Sequence, residues 1–281
     1  MSSRTPDRRR RAPTTAEQRG RPASWPASVL LAALLLAGCA GRTDSAATWG
    51  GQWPDGATLR GAVVDSARDP RTWVPLAGAA ALAVTDLDDD LADWAADERP
   101  VFGADAADWS DDLRSAAKAA WLVSALTAPS PDLRAKAGGL LAGGAALALE
   151  DTVTDGIKAA AGRRRPDGSD DESFSSGHAG SAAAATTLAL ANLDHHHLPR
   201  WADGALRVGL HGLAAGTAWA RVEAEKHYPT DVLAGYAVGR FVAGVVQRAF
   251  IAPAAPALTL RFDPAPGGAA LTLVYLPQRR P

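Results

Sequence analysis

From about Ala57 to Phe250 the chain is built largely of alanine, leucine and glycine, with few β-branched clusters, and proline or glycine interrupts it at helix-length intervals. Alanine loses no side-chain freedom in a helix and leucine little, whereas strands draw on valine, isoleucine, threonine and aromatics. The expectation is an all-α helical bundle. Its helices are placed over roughly 57–67, 72–93, 109–127, 132–146, 148–162, 178–193, 202–219 and 229–250. After Pro253 and Pro256 the pattern changes. Leu258 to Phe262 and Ala270 to Tyr275 are β-prone runs around Asp263-Pro264-Ala265-Pro266-Gly267-Gly268, so a C-terminal extension over 252–281 is expected to carry a short β-hairpin.

The beginning reads as an export signal. Seven arginines precede an unbroken apolar run, Val29 to Ala37, and Gly38-Cys39 follows. Nine apolar residues fall short of the ~20 that a stable membrane-spanning helix needs. Cys39 is the only cysteine, which excludes an intramolecular disulfide. Leu36-Ala37-Gly38-Cys39 resembles the bacterial lipobox, in which the cysteine is lipidated and becomes the mature N-terminus. The resulting expectation is a signal peptide over 1–38, then lipidated Cys39 and a Gly/Ser/Thr-rich tether to residue 56. The helical domain follows over 57–251. Such a protein would sit in the bacterial cell envelope, held to a membrane by its lipid and facing the periplasm or exterior.

Without residues 1–38 the chain keeps 22 basic and 29 acidic residues. That acidic balance argues against nucleic acid as a partner. The longest apolar runs in the helical part, 74–84, 179–193 and 232–246, are Ala- and Gly-rich and shorter than a span. With a mean hydropathy of −0.08 the domain is expected to be water-soluble.

Three segments concentrate the chemistry. Lys158 is followed by Arg165-Pro166 near a predicted helix end, where Arg163 and Arg164 also crowd. Cations there would complement the helix dipole, and Lys158 with Arg165 could also converge on one anion. Ser175-Ser176-Gly177-His178 precedes an Ala-rich run, so Ser176 is placed as a helix N-cap and Gly177 as a close approach of backbone to an anion. Many helices begin this way, and the motif alone decides little. In the third segment Arg221 ends one helix, His227 lies in a loop, and Asp231 falls in the first turn after Pro229. A hydrogen bond from the imidazole Nδ1–H to the Asp231 carboxylate would leave Nε2 free as a nucleophile. A purely structural His–Asp pair explains this segment, taken by itself, equally well.

In this order, Lys-x6-Arg-Pro, Ser-Gly-His and Arg-x5-His-x3-Asp resemble the three-part signature of the type 2 phosphatidic-acid phosphatase superfamily. That group includes bacterial acid phosphatases, lipid phosphatases and vanadium haloperoxidases. The resemblance covers about residues 145–245. It implies a phosphatase working on a phosphorylated small molecule or a lipid phosphate, with no cofactor and no metal. Lys158, Arg165 and Arg221 would hold phosphoryl oxygens, with Ser176 and Gly177 adding hydrogen bonds. His178 would protonate the leaving group, His227 would become a phosphohistidine, and Asp231 would orient it. A haloperoxidase, or a lipoprotein with a decayed site, are the alternatives. Two positions depart from the usual pattern: Ser175 stands where proline is common, and Ala220 where serine is common.

Other polar clusters attract blander readings. The aspartates at 86, 88–90, 93, 105, 108, 111 and 112 lack calcium-loop spacing and are read as solvated helix ends. His195-His196-His197 is read as a solvated loop, and His211 as an interior histidine. Most of the nine tryptophans are expected in the core or at its edge.

Overall fold

The structure is a computed structural model and describes residues 49–251, 258–265 and 268–275. The signal segment, Cys39 and the tether up to residue 48 lie outside these described residues. The expected helical bundle is found. Its helices are α1 (Gly56–Arg68), α2 (Pro70–Ala83), α3 (Leu87–Glu98), α4 (Ala106–Thr127), α5 (Leu133–Ala161), α6 (Gly177–Leu193), α7 (Arg200–Glu223) and α8 (Pro229–Phe250). Strands β1 (Leu258–Ala265) and β2 (Gly268–Tyr275) pair antiparallel, from Leu258 opposite Tyr275 to Ala265 opposite Gly268.

Helix α6 is the axis of the bundle. Fourteen of its 17 residues are buried, as its Ala-rich, all-round apolar sequence requires. It is enclosed by α4, α5, α7 and α8, and α1 and α2 lie on the outer side of α8. Small residues set how closely α8 approaches: a Cβ on Gly239 would collide with the Gly180 carbonyl, and one on Gly235 with that of Ser176. Asp69 pins the outer layer. It caps α2 by accepting from the Arg71 amide at 3.0 Å, and it accepts from Arg240 and Arg248 of α8, each at 3.0 Å.

Two expected helix boundaries are corrected. The helix expected over 72–93 is broken after Ala83. Val84 and Thr85 are β-branched, the Thr85 hydroxyl donates to the Leu82 carbonyl at 2.9 Å, and three aspartates in the first turn of α3 favour a new start. Conversely, the helices expected over 132–146 and 148–162 are one helix of 29 residues, α5. Its glycines serve packing: a Cβ on Gly139 would lie 2.6 Å from the Trp49 ring, and one on Gly143 2.7 Å from that of Trp121. For Trp49 and Gly51 the tether reading is corrected as well. Trp49 is fully buried and its indole N–H donates to Asn192 Oδ1 at 2.7 Å, while Gly51 bridges to Ile251. One indole contributes enough buried surface to bring an otherwise polar segment into the domain. Four other tryptophans (Trp53, Trp73, Trp94 and Trp201) are largely exposed. Among the described residues no helix is long and apolar enough to cross a membrane.

Candidate active site

The N-terminus of α6 gathers all three motifs. Ser176 is its N-cap, accepting from the Ala179 amide at 3.4 Å, and the Ser176 amide donates to the Asp231 carbonyl at 3.0 Å. That bond ties the start of α6 to the first turn of α8. Gly177 and His178 open α6, and Lys158, in the last turn of α5, brings its Nζ to 3.7 Å from where a Cβ on Gly177 would stand. A lysine ammonium and the positive end of a helix dipole therefore meet at one place, the arrangement that suits an anion.

The acidic loop after Arg165 orders the cations. Asp170 accepts from Arg165 Nε at 2.6 Å, and its carbonyl accepts from the Arg165 amide at 3.0 Å. Asp167 pairs with Lys226 at 2.5 Å and its amide donates to the Glu225 carbonyl, joining this loop to the one that carries His227. Burial works against the Asp167 charge, but Lys226 and Ser169 outweigh it and bring the carboxyl down to about 2. Arg221 is buried; Nη1 reaches Ser110 Oγ at 3.4 Å, and its buried Nε has no hydrogen-bond partner. Burial, then the neighbouring Arg165, pull the Arg221 guanidinium down to about 10. Two like charges held together in a partly dry place favour a bound anion.

His227 is almost completely buried, in the loop between α7 and α8. Its Nδ1 lies 2.7 Å from the Ser173 carbonyl and 3.8 Å from Asp231 Oδ2. A carbonyl only accepts, so Nδ1 carries the proton and Nε2 the lone pair. The direct bond expected between His227 and Asp231 is thus corrected to a bond with the Ser173 backbone. Asp231 is taken up by the helix start: it accepts from the Tyr228 amide at 2.9 Å in a capping box and from the Ser173 hydroxyl. It therefore orients the imidazole at one remove, by holding the residue whose carbonyl holds His227. Burial pushes the His227 imidazole towards its neutral form, Asp231 opposes this, and Arg221 and Arg165 reinforce it.

Several residues around the site escaped the sequence reading. Arg163, treated above only as part of an arginine cluster, donates to Thr230 Oγ1 at 2.7 Å, to Asp231 at 2.8 Å and to Asp88 at 2.8 Å. Its guanidinium lies 3.9 Å from the centre of the Tyr228 ring. Asp88 is buried and accepts from the Thr230 amide at 2.8 Å and hydroxyl at 2.7 Å, so the solvated reading fails for this aspartate. A signal existed: Asp88 shares the i, i+4, i+7 stripe of α3 with buried Ala92 and Ala95. Asp111 stays more than half exposed, yet its Oδ1 lies 2.8 Å from Nε2 of His178. No local pattern distinguishes Asp111 from its neighbours in α4. His178 is drawn down to about 4, first by burial and then by Arg221, against the pull of Asp111.

Two further histidines, His196 and His211, depart from their expected settings. His196 is partly buried, with Nε2 3.0 Å from Thr127 Oγ1 and Nδ1 2.9 Å from the Asn192 carbonyl. His211 is exposed on α7, along an apolar groove between α2, α7 and α8. Among the described residues no group of three or more His, Cys, Asp and Glu is placed to hold a metal ion.

No curated protein and no solved structure matches the chain. The model of the PAP2 superfamily matches residues 139–252, the stretch from α5 to the end of α8 that holds Lys158, Arg165, Ser176, Gly177, His178, Arg221, His227 and Asp231. With the helical fold and the cluster of cations and histidines at the head of α6, this identifies residues 139–252 as a region of the PAP2 superfamily.

Proposed function

We propose that the protein hydrolyses phosphate monoesters or pyrophosphates through a phosphohistidine at His227. The observation that carries this reading is His227 itself: a buried, neutral imidazole with Nδ1–H held by the Ser173 carbonyl, beside Arg221 and Arg165. Nε2 attacks phosphorus, a P–N bond forms and the P–O bond to the leaving group breaks. His178 gives its proton to the departing oxygen. Water then attacks the phosphohistidine, the P–N bond breaks, and the proton that water loses returns to His178. Lys158, Arg165, Arg221 and the amides at the start of α6 stabilise the charge on the equatorial oxygens. Because these ligands are cations and backbone donors, the reaction proceeds without a metal ion.

A substrate with an apolar body is favoured. The groove bearing His211 has a volume of about 760 Å³ and is lined chiefly by carbon, including Val74, Trp219, Val222, Leu233 and Tyr236. Of its lining, Val222 directly follows Arg221, and Pro229 is two residues after His227. A lipid phosphate or pyrophosphate would fit both the groove and a protein anchored through diacylated Cys39 in the cell envelope. In the test, the domain without its signal is assayed with EDTA against phosphatidic acid, a polyprenyl pyrophosphate and soluble phosphomonoesters. Activity on at least one, competitive inhibition by vanadate as a mimic of the five-coordinate transition state, and an acid-labile phosphoryl group on rapid quench are expected. Activity lost in EDTA and restored by a divalent cation would overturn the mechanism. For the anchor, Cys39→Ser should release the protein into the soluble fraction; retention in the membrane after a salt wash would refute it.

A further inference from the structure

The second histidine has a partner that the three motifs do not contain. Asp111 comes from α4, more than sixty residues before His178, yet its Oδ1 stands 2.8 Å from His178 Nε2. The same oxygen accepts from Arg114 at 3.0 Å. An ionised carboxylate has no proton to offer, so the proton of the neutral imidazole is on Nε2. The second proton, the one that makes His178 an acid, then belongs on Nδ1. This reverses the arrangement at His227, where an acceptor-only carbonyl holds Nδ1–H and leaves Nε2 to react.

We propose that Asp111 is a positioning residue that fixes the ring and tautomer of His178 and sustains its protonated form, so that Nδ1–H is the proton delivered to the leaving oxygen. The inference rests on the phosphatase reading for the proton's destination, and on the contact alone for the pair. The surroundings make such a partner necessary. Arg114 on α4 and Arg221 on α7 both oppose a positive imidazole, Lys158 of α5 stands beside the same helix start, and the ring is largely removed from solvent. Asp111 acts on His178 in the opposite sense. In the step itself the imidazolium loses its Nδ1 proton to the oxygen leaving phosphorus, and the Nε2–H bond to Asp111 is kept throughout.

Two variants separate charge from contact: Asp111→Asn keeps an acceptor and removes the charge, and Asp111→Ala removes both. Ring ¹H–¹⁵N spectra of the histidines, assigned to His178 with His178→Gln, report tautomer and titration without reference to turnover. The neutral ring of the wild type should be protonated at Nε2, and both variants should titrate at lower pH. Steady-state rates are then compared for an alkyl ester, whose leaving oxygen needs a proton, and p-nitrophenyl phosphate, whose oxygen needs one far less. Asp111→Ala should reduce kcat on the alkyl ester by about 10²-fold and on the aryl ester by less than about 10-fold, within the range for a general acid. The alkaline limb of the pH profile, where the acid loses its proton, should move to lower pH with it. An unchanged His178 titration would overturn the proposal, as would equal losses on the two esters. If wild-type protein hydrolyses neither ester, the phosphatase reading falls, and the spectra still decide whether Asp111 controls His178.

Discussion

His227 and His178 both lie within the influence of Arg221, and under the proposed reaction the contrast between them is that between a nucleophile and an acid. His227 is buried, and its Nδ1–H ends on a backbone carbonyl with a carboxylate one bond further away. His178 is partly open to solvent and bonds directly to a carboxylate that is itself more than half exposed. A neutral acceptor orients an imidazole without charging it, as a nucleophile requires; a charged acceptor favours the imidazolium, as an acid requires. The two settings therefore suit the two roles proposed, which residue type alone leaves equal.

Removing His227 should have the largest effect. His227→Ala is expected to reduce kcat by more than about 10⁴-fold, beyond what loss of a general acid costs, while circular dichroism remains native. Residual turnover above that level, with phosphohistidine still trapped, would move the nucleophile elsewhere. His178→Ala should be milder, about 10²–10⁴-fold on alkyl esters. It should leave phosphoenzyme formation from aryl esters detectable by rapid quench; equal collapse on all substrates would erase the distinction between the two histidines.

Asp231→Asn tests the indirect support of His227. Its carboxylate is buried among Arg163, Ser173 and the Tyr228 amide, and breaking such a network should destabilise the fold by about 3–5 kcal/mol in urea denaturation. The pH dependence follows from its depressed folded-state pKa, where burial opposes the charge and His227, Ser173 and Arg163 prevail. This contribution is fully present above the unfolded value of about 4 and is lost as pH falls through the folded value. Wild type should thus lose stability below about pH 4 more steeply than Asp231→Asn.

The smallest expected effect is on the shape of the rate profile. Because His178 is drawn down to about 4 and His227 is held towards neutral, kcat/KM should rise as pH falls from 8 towards about 5. A profile that rises towards alkaline pH would mean that a proton must be lost rather than supplied.

The helix-forming composition and the three motifs were legible in the sequence because their causes are local. Ser176 caps the helix that it precedes, Pro229 starts the helix that holds Asp231, and Lys158 and Arg165 flank one helix end. The role of the glycines in α5 was not legible, since glycine reads as a break until two indole rings are seen against it. Nor did composition reveal that Trp49 belongs to the core.

By itself the sequence determined the class of fold, the order of the motifs and the residue types available to bind and transfer a phosphoryl group. Only the tertiary structure decided which acceptor each histidine meets. Arg163 and Asp88 lie 75 positions apart, and Asp111 and His178 lie 67 apart, so no periodicity along the chain links them. Tautomer and protonation depend on atoms within about 3 Å, and in a helical bundle those neighbours come from whichever helices the core packs together.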